Sequence, residues 1–133
     1  LNKIKEAGLE KRFIFLGRKQ FKDLPALYQG MSVVAALSRN EGYGLTPIEG
    51  MASGAAVLTS TEGVWDELIR DGVDGYVVET DNINQTAEKL NLLLKNREKT
   101  KLMGEKAAEY SKNFSVKTEA NKIIEHIKDV QIK

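Results

Sequence analysis

The first part of the chain alternates between short apolar runs and segments with the spacing of a helix. The runs are apolar at successive positions, which is typical of strands buried on both faces. They lie at Arg12–Leu16, Ser32–Leu37, Ala55–Thr59 and Tyr76–Val78. Helical segments are predicted at Leu1–Ala7, closed by Gly8, at Leu24–Gly30, capped by Asp23, at Thr46–Ser53 and at Trp65–Arg70. This order predicts an α/β fold, in which helices cover both faces of a parallel sheet.

The remainder of the chain is predicted to be helical. Asn82 and Gln85 form a capping pair before the first of three helices, and Ser115 caps the third. The apolar faces are Ala87, Leu90 and Leu94 in the first helix, Leu102, Met103, Ala107 and Tyr110 in the second, and Val116, Ala120, Ile123, Ile127 and Val130 in the third. The Lys- and Glu-rich stretch between Lys89 and Lys112 is interpreted as a solvated helical surface.

Composition narrows the range of functions. The 133 residues fit one domain, and 20 basic residues balance 19 acidic ones to a net charge of +1, which argues against a nucleic-acid-binding surface. Cysteine is absent, so disulfides and thiolate chemistry are excluded. The one histidine, His126, cannot build a His-rich metal site. No apolar run approaches the roughly 20 residues that span a bilayer.

One loop between a predicted strand and a predicted helix is chemically unusual. It runs from Ser38 to Glu49, and two glycines, Gly42 and Gly44, flank Tyr43. Glycine permits a close approach of the backbone to a ligand, and the start of a helix favours an anion. The loop therefore predicts a phosphate site, although a glycine-flanked turn is weak evidence on its own.

Two glutamates, Glu41 and Glu49, bracket this loop. Glu49 has a structural explanation, because Thr46-Pro47-Ile48-Glu49 fits a capping box with Thr46 as the N-cap. Glu41 has none, since it precedes a glycine at the carboxyl end of a strand, where α/β proteins place their ligands. Glu41 is therefore the stronger candidate for chemistry.

The loop resembles the signature of the retaining glycosyltransferases of family 4, the "group 1" family with two Rossmann-like domains known as the GT-B architecture. That signature is a pair of glutamates with seven residues between them, which enclose an aromatic residue between glycines. The resemblance continues over nearly the whole chain. The further segments that carry it are 13–17, 24–28, 50–57 and 64–78. Residues 1–133 are similar to the second half of the family's carboxyl-terminal, nucleotide-sugar-binding domain.

The resemblance implies a role for individual residues. Glu41 corresponds to the glutamate near the reaction centre, and Glu49 to the one that binds the ribose hydroxyls. The cradle for the donor phosphate and sugar corresponds to Gly42, Tyr43, Gly44, Leu45 and Thr46, and the segment along the nucleotide base to Gly17 and Arg18. Glu62-Gly63-Val64 is a candidate border of the acceptor side. Trp65 is either a core residue, which we favour, or a platform for a sugar.

The resemblance also implies the reaction. A hexose passes from a UDP-, GDP- or ADP-sugar to a glycan or lipid acceptor, as in lipopolysaccharide assembly, without a metal ion or other cofactor. The expected location is the cytoplasm, with peripheral membrane association of the full protein. Two alternatives stay open: a non-catalytic nucleotide-binding module, and another GT-B enzyme such as a phosphorylase or an epimerase.

The chain is expected to be a piece of that domain. In the family, two strands, with an Arg and a Lys that grip the diphosphate, and an acceptor-binding amino-terminal domain come before the region that this chain resembles. We therefore expect no sugar transfer by the chain alone. We also expect an exposed sheet edge, which is resolved by direct pairing of the strands at Arg12–Leu16 and Ser32–Leu37, by self-association, or by a longer polypeptide.

Overall fold

The fold is seen in a computed structural model that describes residues 2–131. Within these residues, three strands and seven α-helices follow one another. The strands are β1 (Val33–Ala36), β2 (Ala56–Ser60) and β3 (Gly75–Val78). The helices are α1 (Asn2–Glu6), α2 (Leu24–Gln29), α3 (Thr46–Ala52), α4 (Trp65–Leu68), α5 (Ile83–Lys95), α6 (Arg97–Ser111) and α7 (Val116–Gln131). Short 3₁₀ turns occupy Glu10–Arg12, Phe21–Asp23 and Lys112–Phe114.

The strands form one parallel sheet in the order β1-β2-β3. The register places Val34 beside Val57 and Ala36 beside Thr59, and it places Ser60 beside Val78. All five residues of the central strand β2 are buried. The predicted α/β class is confirmed, and the parallel register brings the carboxyl ends of the three strands to the same edge.

Helices cover both faces of this sheet, as predicted. One core cluster includes Met51 of α3, Trp65 of α4 and Ala107 of α6, packed with Val34 and Val57 of the strands. The other face carries a second cluster, made of Ala56, Leu58, Val78 and Leu93 of α5. The three predicted carboxyl-terminal helices are confirmed. Of these, α6 packs in the first cluster and α5 in the second, on opposite faces of the sheet.

The position of α3 depends on one glycine. A Cβ at Gly50 would lie 2.9 Å from Cβ of Val34, so only glycine lets the helix lie this close to β1. Because α3 begins at the end of the loop that follows β1, this contact also fixes where that loop ends.

The predicted strand at Arg12–Leu16 is wrong. Phe13, Ile14, Phe15 and Leu16 are between 44% and 85% exposed and belong to no strand. The backbone at Phe13 is extended and the rings of Phe13 and Phe15 stack at 6.3 Å, but no strand among residues 2–131 lies beside this segment. A strand needs a hydrogen-bonded neighbour, which local apolar character cannot supply. Direct pairing with β1 is therefore excluded, and self-association stays a prediction.

Local signals predicted some caps and faces correctly. Oδ1 of Asn82 accepts from the N–H of Gln85 at 3.0 Å, and Oγ of Ser115 accepts from the N–H of Thr118, so both caps are confirmed. Asp23 makes no capping hydrogen bond, because its backbone is already helical. In α5, Leu93 rather than Leu94 is buried, since the sheet meets the helix on the side of Leu93.

The last helix stands apart from this core. It contacts the 3₁₀ turn at Lys112–Phe114. Five large apolar residues of this helix are at least 49% exposed: Val116, Ile123, Ile124, Ile127 and Val130. The predicted apolar spacing of α7 is present, but within the described chain it faces solvent. Residues 2–131 contain no helix that is long and apolar enough to cross a membrane.

A partly buried ion pair in the segment between α4 and β3 contacts α6. The Asp74 carboxylate is fully buried and accepts from Nε and Nη2 of Arg70 at 2.7 and 2.5 Å, which raises the pKa of the guanidinium. The guanidinium also lies 4.0 Å from the centre of the Tyr110 ring. This cation–π contact fixes the turn before β3 against α6.

Thr59 offers a test of the packing beneath the carboxyl edge. Its hydroxyl is buried in β2 and has no hydrogen-bond partner within residues 2–131. Since an unsatisfied buried hydroxyl costs about 1–3 kcal/mol, Thr59→Val is expected to raise the free energy of unfolding by about 1 kcal/mol in urea denaturation. Thr100→Val is the matched control, because the buried Thr100 hydroxyl donates to the Leu93 carbonyl and its loss is expected to destabilise. Equal effects of the two substitutions would contradict this assignment.

Candidate functional site

Three loops meet at the carboxyl edge of the sheet, each following one strand. The guanidinium of Arg39, after β1, lies 2.7 Å from the carboxylate of Asp81, after β3. The hydroxyl of Ser60, at the end of β2, donates to the carbonyl of Ser38 at 2.6 Å. The unusual loop predicted from the sequence is therefore held by both neighbouring loops, at the edge where α/β proteins bind ligands.

Glu41 is fixed on two sides within this loop. The Ser38 hydroxyl donates to Oε2 of Glu41 at 3.0 Å. Gly44 has a left-handed backbone, with φ of +56°, and a Cβ there would lie 2.9 Å from Cγ and Cδ of Glu41. The carboxylate thus lies against backbone that only glycine can provide without strain.

The loop after β2 packs against the backbone of the loop that carries Glu41. At Gly63, φ is +81° and a Cβ would lie 2.7 Å from the carbonyl oxygen of Gly42. The rings of Tyr43 and Trp65 face each other at 6.2 Å. Trp65 is 2% exposed and belongs to the core, as we favoured, while Tyr43 remains half exposed. Glu62 and Val64 are both partly buried beside these contacts.

The start of α3 differs from the predicted capping box. Leu45, not Thr46, is the N-cap, and it is already helical, so the N–H of Glu49 donates to the carbonyl of Leu45 at 2.9 Å. In a capping box, the Thr46 hydroxyl would have accepted a hydrogen bond from this same N–H. Pro47 is therefore the second helical residue, and the Glu49 side chain has no capping role.

The freed Glu49 carboxylate instead faces Tyr28 of α2. Burial raises the pKa of Tyr28, the Glu49 carboxylate raises it further, and the Thr46 hydroxyl opposes the rise. Tyr28 is therefore a protonated donor at neutral pH. Glu49 lines a groove of about 280 Å³ between α2 and α3, which includes the rings of Phe21 and Tyr28.

The structure brings together most of the predicted site residues. Gly42, Tyr43, Gly44 and Leu45 lie in one loop with Glu41, and Thr46 and Glu49 follow in the first turn of α3. Gly17 and Arg18 lie in the exposed segment before α2, and no hydrogen bond or ion pair within residues 2–131 joins them to that loop. Their role along the nucleotide base stays a prediction.

The charges at this edge are mainly negative. Arg39 is the one basic residue in segments 37–45, 61–64 and 79–82, and it is paired with Asp81. In the described range 2–131 no group of three or more His, Cys, Asp or Glu is placed to hold a metal ion. Metal-independence stays a prediction.

Several contacts of the site were not predicted from the sequence, although Gly63 belongs to the segment 62–64 that was a candidate border of the acceptor side. Ser38 and Ser60 anchor the loop, Gly63 supports it, and Tyr28 faces Glu49. A signal existed for the two serines, because each ends or follows an apolar strand run on its carboxyl side. The role of Tyr28 had no local signal, since it depends on how α2 packs against α3.

Comparison with known proteins agrees with this geometry. Residues 1–110 match the family described as glycosyl transferases group 1. The chain is 37% identical over 100 residues to an uncharacterized glycosyltransferase of Methanocaldococcus jannaschii, which covers 75% of this chain and 28% of that protein. It is 47% identical over 72 residues to the lipopolysaccharide core biosynthesis mannosyltransferase LpcC of Rhizobium leguminosarum bv. viciae, covering 54% of this chain and 20% of that protein.

Solved structures are similar over most of the chain. The carboxyl-terminal domain of a glycosyl transferase group 1 protein, LpcC of Francisella tularensis, superposes with a TM-score of 0.80 at 32% identity, covering 86% of this chain and 60% of that one. Anabaena HepE, solved in complex with UDP and glucose, gives a TM-score of 0.83 at 29% identity, covering 96% and 35%.

These matches test the expected family. The expectation of part of a carboxyl-terminal GT-B domain is confirmed. The chain spans only 20–28% of the length of the two curated relatives, so the activity of the whole protein is a separate question. Because the family match extends over residues 1–110 of 133, the chain belongs to the glycosyl transferases group 1 family.

Proposed function

We propose that residues 1–133 are the nucleotide-sugar-binding part of a retaining hexosyltransferase of family 4. The complete enzyme transfers a hexose from a UDP-, GDP- or ADP-sugar to a glycan or lipid acceptor, without a metal ion. The observation that carries this proposal is the fixed Glu41 carboxylate at the carboxyl edge of the sheet, next to the start of α3. The known mannosyltransferase and the UDP complex of HepE support the donor class.

Each part of the donor has a proposed partner. Glu49 accepts hydrogen bonds from the ribose hydroxyls, and Tyr28 orients its carboxylate for that contact. The backbone from Gly42 to Leu45 and the Thr46 hydroxyl hold the phosphate and the sugar. Gly17 and Arg18 lie along the base, and the ribose occupies the groove between α2 and α3, which Glu49 lines.

The proposed chemistry separates charge at the anomeric carbon. As the bond to the nucleoside diphosphate breaks, positive charge develops on the sugar and negative charge on the leaving phosphate. The Glu41 carboxylate stabilises the first, and N–H groups aimed at the phosphate stabilise the second. Such preorganised groups contribute several kcal/mol in the transition state because they need no rearrangement.

The chain alone is proposed to be inactive. Its carboxyl edge holds one basic residue, Arg39, whose charge is already paired with Asp81. A diphosphate therefore needs cationic side chains from elsewhere in the polypeptide, and the acceptor needs a further domain. We place the complete enzyme in the cytoplasm, where an association with the membrane surface would bring it to lipid acceptors.

Calorimetric titration of the complete enzyme with UDP, GDP and ADP tests the donor site. One nucleotide is expected to bind with a clear preference, and Glu49→Gln is expected to weaken it about tenfold or more, because a charged acceptor for two hydroxyls is lost. Glu88→Gln, on the exposed side of α5, is the matched control and is expected to bind normally. The corresponding nucleotide-sugars, given with an acceptor to residues 1–133 alone, are expected to yield no transfer.

The outcomes separate the proposal from its alternatives. Binding of no nucleotide by the complete enzyme would refute it, and a sugar phosphate as the required donor would identify a phosphorylase. Nucleotide binding without transfer to any acceptor would point to an epimerase or a non-catalytic module.

A further inference from the structure

Two serine hydroxyls link the central strand to Glu41. Ser60, at the end of β2, is 3% exposed, and its hydroxyl donates to the carbonyl of Ser38 at 2.6 Å. The hydroxyl of Ser38 donates in turn to Oε2 of Glu41 at 3.0 Å. The buried central strand of the sheet is thus connected to a carboxylate on a glycine-rich loop through two hydrogen bonds.

This linkage has a mechanical consequence. Gly42 and Gly44 give the loop more conformational freedom than other residues would. A carboxylate that acts on a transition state must be held to within about 0.5 Å, and small displacements cost large factors in rate. The buried Ser60 hydroxyl fixes the position of the Ser38 backbone, and the Ser38 side chain then fixes one carboxylate oxygen.

The same geometry distinguishes the two carboxylate oxygens. Oε2 is occupied by the Ser38 hydroxyl, whereas Oε1 lies 3.1 Å from the position that a Cβ of residue 44 would take. Because residue 44 is glycine, the carboxylate packs against its backbone on this side. The hydrogen bond from Ser38 and the packing against Gly44 together hold the carboxylate in one orientation.

We propose that Ser38 and Ser60 are positioning residues, which hold the Glu41 carboxylate in the orientation that acts on the donor sugar. This inference rests on the proposed function, in which Glu41 acts on the sugar. Neither serine touches the substrate. Ser38 acts through the Glu41 carboxylate, and Ser60 acts through the backbone of Ser38.

The test compares serine variants of the complete enzyme in two backgrounds. Ser38→Ala is expected to lower kcat about 10- to 100-fold, while the donor KM changes by less than about threefold. Ser60→Ala is expected to lower kcat by a smaller factor. Ser38→Thr keeps the hydroxyl and is expected to restore most of the rate. Ser32→Ala, on the exposed residue before the other end of β1, is the matched control and is expected to leave kcat unchanged.

The second background distinguishes positioning from a merely structural role. With Glu41→Gln already present, Ser38→Ala is expected to change the residual rate less than about twofold, because the negative charge that Ser38 orients is gone. A loss as large as in the wild-type background would show a general effect on the loop and overturn the proposal. An unchanged kcat in Ser38→Ala alone would overturn it as well.

Failure of the proposed function gives a different result. If the wild-type enzyme transfers no sugar from any nucleotide donor, both proposals fall together. If the wild-type enzyme is active and the Ser38 and Ser60 variants keep its kcat, as the Ser32→Ala control does, the proposed function stands and the positioning role falls.

Discussion

Glu41→Gln in the complete enzyme is expected to lower kcat by about 10²–10³-fold, with little change in the donor KM. The substitution preserves the size of the side chain and its ability to accept from the Ser38 hydroxyl, but removes the negative charge. Loss of one preorganised group that stabilises developing charge costs a factor of this size, since the charge appears only in the transition state. The measurement is steady-state transfer with the donor varied at a saturating acceptor concentration.

The result can be separated from misfolding. Glu88→Gln removes the same charge from an exposed position of α5 and is expected to match the wild type in both kcat and melting temperature. Glu41→Gln is also expected to bind the nucleotide alone with unchanged affinity, because the proposed contact is with the sugar. A variant that keeps full kcat would remove Glu41 from the chemistry and favour the non-catalytic alternative.

The expected effect contrasts with that of Glu49. Glu49 lies in α3 beside Tyr28 and is proposed to bind the ribose, which does not change during the reaction. A contact that is equal in the ground state and the transition state alters KM but not kcat. The two glutamates of the loop are therefore expected to separate into a rate effect at Glu41 and an affinity effect at Glu49.

Much of the fold could be predicted from local patterns, because the apolar runs of β1, β2 and β3 carry their own burial signal. The run at Phe13–Leu16 has the same local signal, but a strand also needs a neighbour, and none lies beside it in the described chain. Local pattern thus predicts which segments are able to form strands, and tertiary context decides which do.

The candidate site also contains features that local pattern predicts and features that depend on tertiary contacts. Gly42, Gly44 and Glu41 were identified from spacing and resemblance, and their loop indeed lies at the carboxyl edge of the sheet. The capping role of Thr46 failed because one residue, Leu45, extends the helix backward and takes the hydrogen bond. Contacts across the fold, such as that between Gly63 and Gly42, involve residues 21 positions apart and leave no periodic trace in the sequence.

That contact leads to the second large effect. Gly63→Ala is expected to reduce transfer by the complete enzyme at least about 100-fold and to lower the free energy of unfolding by about 2–4 kcal/mol. A left-handed alanine costs about 1–2 kcal/mol, and here its Cβ would also lie 2.7 Å from the Gly42 carbonyl oxygen. The Gly42 backbone cannot yield without moving Glu41 beside it, so stability and rate fall together.

Gly72→Ala is the control that separates the effect of the steric clash at residue 63 from the effect of a left-handed alanine backbone. Gly72 also has a left-handed backbone, with φ of +74°, but nothing lies within 4 Å of its Cβ position, and it precedes β3 at the opposite end of the strand from the site. It is expected to lose about 1 kcal/mol of stability and no activity, as measured by urea denaturation and steady-state transfer. If both variants lost stability equally and both kept their rate, the loop after β2 would not support the Glu41 segment. A loss of rate confined to Gly63→Ala would instead show that the carboxyl edge works as one packed unit, in which a backbone contact outside the loop fixes the position of Glu41.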